Sequence, residues 1–490
     1  MRSIILGKNE YRDRVYACWL GKNIGGTLGG PHEGKKCVHN LEFYDPVPHE
    51  PTPNDDLDFQ LVWLKMLEDK GASLRLPDFA EYWRRYLSAY PWNEYGFCMR
   101  NLERGLMPPV SGWFENYYVD EMGSPIRSEI WACLCPAEPQ RAAALAWMDS
   151  CLDHAGGEGM YGEMFWAAVE SAAFVLQDPL ELIRIGLAMI PPACGISRVV
   201  REAAWCHANG ARWSEARQRI ATTYGHVQPC NAVPNHGFTV LGWLYGQDFG
   251  DKLCKAVNCG FDTDCTGATL GSLLGILGGT SYIPQRWSGP VGTSIKLHPL
   301  TRPCGAPTTL QELADRTMAV AERLVRQTSA AVSFGEQTRT GPALKSLLFR
   351  NDEAYGCLQE DLRSAVVADE DLEIILYYNG DPVMCPGISR MLDVECRQNG
   401  FPVEAEVELE LPDGWSVLDE DVAAVETRFE VEAVRVADTN SIGVRAFLNG
   451  RTHHGRFTML GPGAAQGFPS ATNVEYCPTC HGRKGSCLCT

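Results

Sequence analysis

The chain has 490 residues, more than one compact core accommodates, so two or more domains are expected. A hydrophobic content of 45% with 10% aromatics supports well-formed cores and excludes a disordered or fibrous protein. With 61 acidic against 43 basic residues and a net charge of -18, the chain suits cations and is a poor partner for nucleic acid or an anionic membrane.

Met1 to Tyr11 holds no apolar core of signal-peptide length, and no uninterrupted apolar run approaches roughly 18 residues. Most of the twenty cysteines stand singly in apolar stretches, as Cys18, Cys133, Cys151, Cys206 and Cys254 do. Buried free thiols have this pattern, and a reducing cytoplasm is the expected location.

From Tyr11 to about Arg326 the periodicity is helical. Gly21, Gly25, Gly26, Gly29 and Gly30 recur at a four-residue spacing before Pro31, which leaves Glu33 at a helix end. Asn54, Asp55 and Asp56 precede an apolar helix over Asp58 to Glu68, as a cation-binding junction or an ordinary N-terminal cap would. Asp153 and His154 precede a second buried helix over Tyr161 to Leu176, and the tryptophans at 92, 113, 131, 147 and 166 read as core. Asp262 and Asp264 open a segment in which Gly267, Gly271 and Gly275 form one smooth helical face. Carboxylates beside a tightly packed helix are costly unless hydrogen-bonded or bound to a cation, so a hard metal ion is the first hypothesis and a helix cap the alternative. Ile283 to Gly305 reads as loop, and Thr308 to Arg326, with its threonine cap and terminal arginines, as the last helix of the first domain.

After Gly341 the segments Leu372 to Tyr378, Arg390 to Cys396, Val403 to Leu411 and Phe429 to Val436, separated by turns, predict a β-sandwich of immunoglobulin-like type. Val403, Ala405, Val407, Leu409 and Leu411 would line one face and Glu404, Glu406, Glu408 and Glu410 a solvated one; His453 and His454 are expected at the surface. Cys477, Cys480, Cys487 and Cys489 supply four thiolates adequate for a structural zinc, with a redox pair or an unpaired tail as alternatives. The expected organisation is a helical domain over 1–340, a linker and sandwich over 341–465, and a Cys-rich tail over 466–490.

Glu33, Asn54, Asp55, Asp56, Asp262 and Asp264 together offer five carboxylates and an amide oxygen, each at a loop–helix boundary, which suits magnesium, manganese or calcium. No dinucleotide fingerprint, phosphate-loop lysine or nucleophile elbow competes with them. In order, the glycine segment ending at Glu33, Asn54-Asp55-Asp56, Gly123-Ser124-Pro125-Ile126-Arg127, His154 with Tyr161-Gly162, and Phe261 to Ala268 resemble the ADP-ribosylglycohydrolase family over roughly Tyr11 to Gly279.

The resemblance implies an all-α orthogonal fold, two magnesium ions with manganese as a substitute, and a metal-activated water attacking the anomeric carbon of a ribosyl or ADP-ribosyl group. It implies metal ligation by Asn54, Asp55, Asp56, Asp262, Asp264 and Thr266, catalytic roles for Glu33, Asp56 and Asp262, and a ligand cleft lined by Gly123, Ser124, His154, Tyr161 and Gly162. The expected partner is a small-molecule or protein-linked ribosyl substrate. Two positions depart from the pattern: Asn54 replaces a threonine, and Cys265 takes the place of the final threonine ligand, leaving Thr266, a water or a weakened second metal to compensate. A glycosidase of a small nucleoside or sugar conjugate, and an ADP-ribose-binding protein that has lost catalysis, are the competing readings.

Overall fold

Backbones approach closely where side chains are missing, and the glycines at four-residue spacing set the centre of the fold. A computed structural model describes residues 3–91 and 93–465; the cysteines proposed for zinc, Cys477, Cys480, Cys487 and Cys489, lie outside the described residues, as does Trp92. The helices Lys8–Gly29 and Thr263–Gly278 run antiparallel in direct contact. A Cβ on Gly21 would lie 2.0 Å from the Gly271 carbonyl oxygen, one on Gly25 1.9 Å from that of Gly267, and one on Gly275 2.1 Å from that of Ala17. The two smooth faces expected separately are thus packed on each other.

The surrounding helices bury Trp19, Trp63, Trp83, Trp113, Trp131, Trp166 and Trp243 completely, and Trp147 nearly so. The expected apolar helices are present as Asp55–Lys70 and Glu158–Ala173, and the helix before the β region spans Leu310–Thr328, capped by Thr309 rather than Thr308. A small sheet ties the ends of this part together: Ile4–Gly7 pairs in parallel with Val332–Gly335 and antiparallel with Arg339–Thr340.

The stretch read as loop over 283–305 contains a helix, Gln285–Val291. Pro290 and Gly289 argue against it locally, but burial of Trp287 against Phe43 and Tyr44, with ring centroids 4.8 and 5.1 Å away, outweighs propensity.

Beyond it, strands form two antiparallel sheets. One runs Ser364–Asp369, Leu372–Tyr377, Arg390–Gln398, Glu426–Ala433, Trp415–Val422; the other runs Arg451–Leu460, Thr439–Leu448, Glu406–Glu410. They face each other where Gly455 meets Val367 and Ile374. Along the glutamate ladder Val407 is buried while Glu406, Glu408 and Glu410 are exposed, as strand alternation requires. His453, expected at the surface, is instead 3% exposed because its inward register position places it between the sheets, whereas His454 is exposed. The β region docks on the helices through the Val366 amide to the Pro108 carbonyl, 3.0 Å, and the Trp113 indole to the Leu362 carbonyl, 2.6 Å.

Candidate functional site

The glycine contact brings three chain segments to one place. At its end the Lys8–Gly29 helix runs into a turn of 3-10 helix, Gly30–His32, and Glu33 follows it. A Cβ on Gly29 would lie 2.0 Å from the Thr263 carbonyl, so Glu33 emerges beside the start of the Thr263–Gly278 helix, where Asp262 occupies the cap position and Asp264 the first turn. Two backbone hydrogen bonds, Gly34 N–H to Phe261 O and Phe261 N–H to Lys35 O, fix the approach. The third segment carries Asn54, whose amide oxygen accepts from the Asp56 N–H at 2.9 Å and caps the Asp55–Lys70 helix.

Carboxylate oxygens of Glu33 and Asp262 and the Cys230 sulfur all lie within 4.8 Å of one another, as do those of Asp56 and Asp264 with the Cys265 sulfur. Asp56 and Asp262 are 1% exposed, while Glu33 is exposed at the rim. One oxygen on each of Asp56, Asp262 and Asp264 is buried without a hydrogen-bond partner among the described residues. Native proteins seldom leave such atoms orphaned.

The electrostatics follow. Burial, then Glu33 nearby, pushes the Asp262 carboxyl up to about 8. Burial and the Asp262 charge push Asp264 well above the carboxylate range, and burial with Asp264 and Asp55 does the same for Asp56 against the opposing pull of Lys22. Asp55 is raised mainly by burial, and Glu33, although its residue as a whole is exposed, by burial of its carboxylate end and then by Asp55 beside it. Lys22 is the cation close to this group, but it lies 3.9 Å from Asp56 and bonds to Glu129 at 2.8 Å. Clustered, buried, under-neutralised oxygen donors are what a divalent cation needs, so the carboxylates fit such an ion.

The remaining sequence-derived positions have different neighbours. Thr266 is fully buried and its hydroxyl donates to the Thr263 carbonyl at 3.2 Å, whereas Cys265 turns its sulfur to within 3.9 Å of Asp56 Oδ2. Gly123 leaves room for Glu94 and Tyr95, since a Cβ there would lie 2.1 Å from Glu94 Oε1 and 2.8 Å from the Tyr95 hydroxyl. His154 stands between Asp153, 3.0 Å from Nδ1, and Glu94, 3.7 Å from Nε2. Ser124 is buried and hydrogen-bonds Ser150 at 2.8 Å and Glu163. Gly162 packs under the His236 ring, where a Cβ would lie 2.5 Å away. Tyr161 is buried and faces a small cavity bordered by Trp147 and Leu358, on the side of the β region.

Several residues escaped the sequence reading. Arg127 stands in a recognised motif but received no role, and it is the fully buried partner of Asp149 at 2.9 Å and Asp153 at 2.8 Å. Cys230, which the sequence does not single out, stands just before Asn231, the cap of the Ala232–Tyr245 helix. Asn235 on that helix donates to the Pro229 carbonyl at 2.7 Å and accepts from the Asp262 N–H at 3.2 Å, tying Cys230's loop to the carboxylates. Glu121, in the strand-like contact with Asn231, is pushed up to about 8 by burial and by Asp120.

Residues 7–329 match the family described as ADP-ribosylglycohydrolase. Among solved structures, a chain of an "ADP-ribosylglycohydrolase-related protein complex" is 18% identical, covering 65% of this chain and 99% of its own at a TM-score of 0.42. No curated protein gives a significant match. Among the described residues no helix is long and apolar enough to cross a membrane.

Proposed function

The chain belongs to the ADP-ribosylglycohydrolase family, a family of hydrolases, and on that premise we propose that it cleaves a glycosidic bond at the anomeric carbon of a ribosyl or ADP-ribosyl group. The observation that carries this reading is the meeting of Glu33, Asp56, Asp262 and Asp264, with three orphaned buried oxygens, at the end of the glycine contact. Asp55, Asp56, Asp262 and Asp264 are the residues that would hold the metal; when bound, a divalent cation would orient ribose hydroxyls and acidify a water.

The chain's own groups do the rest. In this reading Glu33, exposed at the rim, takes a proton from the attacking water, and the buried acids stabilise positive charge developing on the sugar ring. Arg127 and Lys22 hold Asp153 and Glu129 in place and act as positioning residues behind the site. Residues 1–340 form the catalytic unit in this reading and 341–465 an accessory domain; the free cysteines among the described residues accord with a reducing cytoplasm.

The test is a substrate panel of an ADP-ribosylated protein, small ADP-ribose conjugates and nucleosides, with magnesium or manganese supplied and free ADP-ribose, ribose or base measured. Asp55→Ala and Asp264→Ala are expected to lower turnover at least about 100-fold. Full turnover in both variants would overturn the proposal, and release from nucleosides alone would narrow the substrate class.

A further inference from the structure

Each of the two carboxylate groups contains one thiol. Cys230 lies with Glu33 and Asp262, and Cys265 with Asp56 and Asp264, in both cases with all ligand-capable atoms within 4.8 Å. The thiols come from different elements, one in the loop before Ala232–Tyr245 and one in the first turn of Thr263–Gly278, yet each brings its sulfur within 4.8 Å of two carboxylates. Thr266, the hydroxyl that could have kept the set all-oxygen, bonds to the Thr263 carbonyl of its own helix.

Three buried carboxylate oxygens in these groups lack a hydrogen-bond partner among the described residues, which marks the spot as a ligand site independently of the cysteines. The loop that carries Cys230 is also held on both sides, by Asn235 to Pro229 and by the Met122 N–H to the Cys230 carbonyl at 2.9 Å.

Ligand type selects the metal. Magnesium takes oxygen donors and keeps much of its water, whereas zinc and cobalt bind thiolate, imidazole and carboxylate together. We propose that the centre is a mixed carboxylate–thiolate site, with Cys230 and Cys265 as ligands, that takes a borderline divalent ion of the zinc or cobalt type in preference to magnesium. This rests on reading the carboxylates as a cation centre. On binding, each S–H bond breaks, a sulfur–metal bond forms and the proton passes to solvent, with no change of oxidation state.

Cobalt(II) tests the proposal, because coordination by sulfur gives a near-ultraviolet charge-transfer band that oxygen ligands do not. The metal-free full chain, with Cys477, Cys480, Cys487 and Cys489 changed to serine so that the tail contributes no thiolate, is titrated with cobalt(II). The expected result is a charge-transfer band that weakens in Cys230→Ser and in Cys265→Ser and disappears in the double variant, with circular dichroism confirming that each remains folded. Zinc should displace the cobalt spectrum at equal concentration, and magnesium should leave it unchanged even at about 100-fold excess. Tight cobalt binding without the band, or displacement by magnesium at comparable concentration, would overturn the thiolate assignment while leaving the cation centre intact. Failure of cobalt, zinc, magnesium and manganese all to bind in calorimetry would remove the cation centre and the thiolate assignment together.

Discussion

Two groups of buried acids lie in the helical region, and they differ in what neutralises them. Asp149, Asp153 and Glu163 surround Arg127, whose guanidinium bonds to both oxygens of Asp153 at 2.8 Å and lies 2.9 Å from Asp149. Burial and neighbouring acids leave Asp149 and Glu163 raised, but Arg127 and His154 overcome the burial of Asp153 and hold its carboxyl well below the usual range. Among the described residues no guanidinium pairs with Asp56, Asp262 or Asp264, Lys22 is engaged by Glu129, and these carboxyls are pushed up. The first group carries its own cation and is a structural strut. The second has clustered donors and orphaned oxygens for a cation from solution, which is the physical difference between scaffold and site.

Removing the built-in cation tests the difference most severely. Arg127→Met strands three carboxylates in the core and is expected to cost about 3–5 kcal/mol in denaturant unfolding, with no rescue by added divalent ions. Next is Gly25→Ala, whose Cβ would press to 1.9 Å on the Gly267 carbonyl and drive the two helices apart. It should cost about 1–3 kcal/mol and weaken ion binding in the same titration, because Glu33 and Asp262 are positioned by that contact.

A pH series compared between the wild type and Glu121→Gln separates Glu121 from the raised carboxyls of the second group beside it. Its carboxyl is pushed up to about 8 in the fold against an ordinary 4.5, so its stabilising contribution is fully present below about 4.5 and is lost as pH rises from there to about 8. Wild-type stability should therefore fall over that window by at most about 1.4 kcal/mol per pH unit on account of this group, and Glu121→Gln should flatten the fall.

Asp264→Asn reverses the sign expected for a strut. Relieving buried like-charge repulsion should raise the stability of the metal-free protein by about 1 kcal/mol at neutral pH while abolishing ion-linked stabilisation. At the other extreme, Glu410 faces solvent across from Arg445, and Glu410→Ala should change stability by less than about 0.5 kcal/mol.

The contrast explains what the sequence could convey. Glycines at four-residue intervals announce smooth helix faces, and acids at helix starts announce a junction, so Glu33, Asp55, Asp56, Asp262 and Asp264 were legible. Which smooth face meets which was not, because nothing local distinguishes Gly21 packing on Gly271 from packing on any other helix. Charged residues usually signal surface, and so Lys22, Glu129 and Arg127, all buried, gave no sign of their role. Cys230 became visible only through folding, since its companions Glu33 and Asp262 are remote in the chain. The alternating strands of the β region were readable for the opposite reason: period-two patterning is local, and the exposed glutamates of Glu406–Glu410 obey it. His453 failed because a neighbouring histidine, His454, shares its chemistry but not its face.

The most direct measurement is release of ADP-ribose or ribose from the active substrate by the full chain stripped of metal with a chelator, then resupplied in parallel with zinc, cobalt, manganese or magnesium. The stripped protein is expected to give no turnover and to recover with at least one of these ions, and the Asp264→Ala variant not to recover. Undiminished turnover by the stripped protein would contradict this expectation.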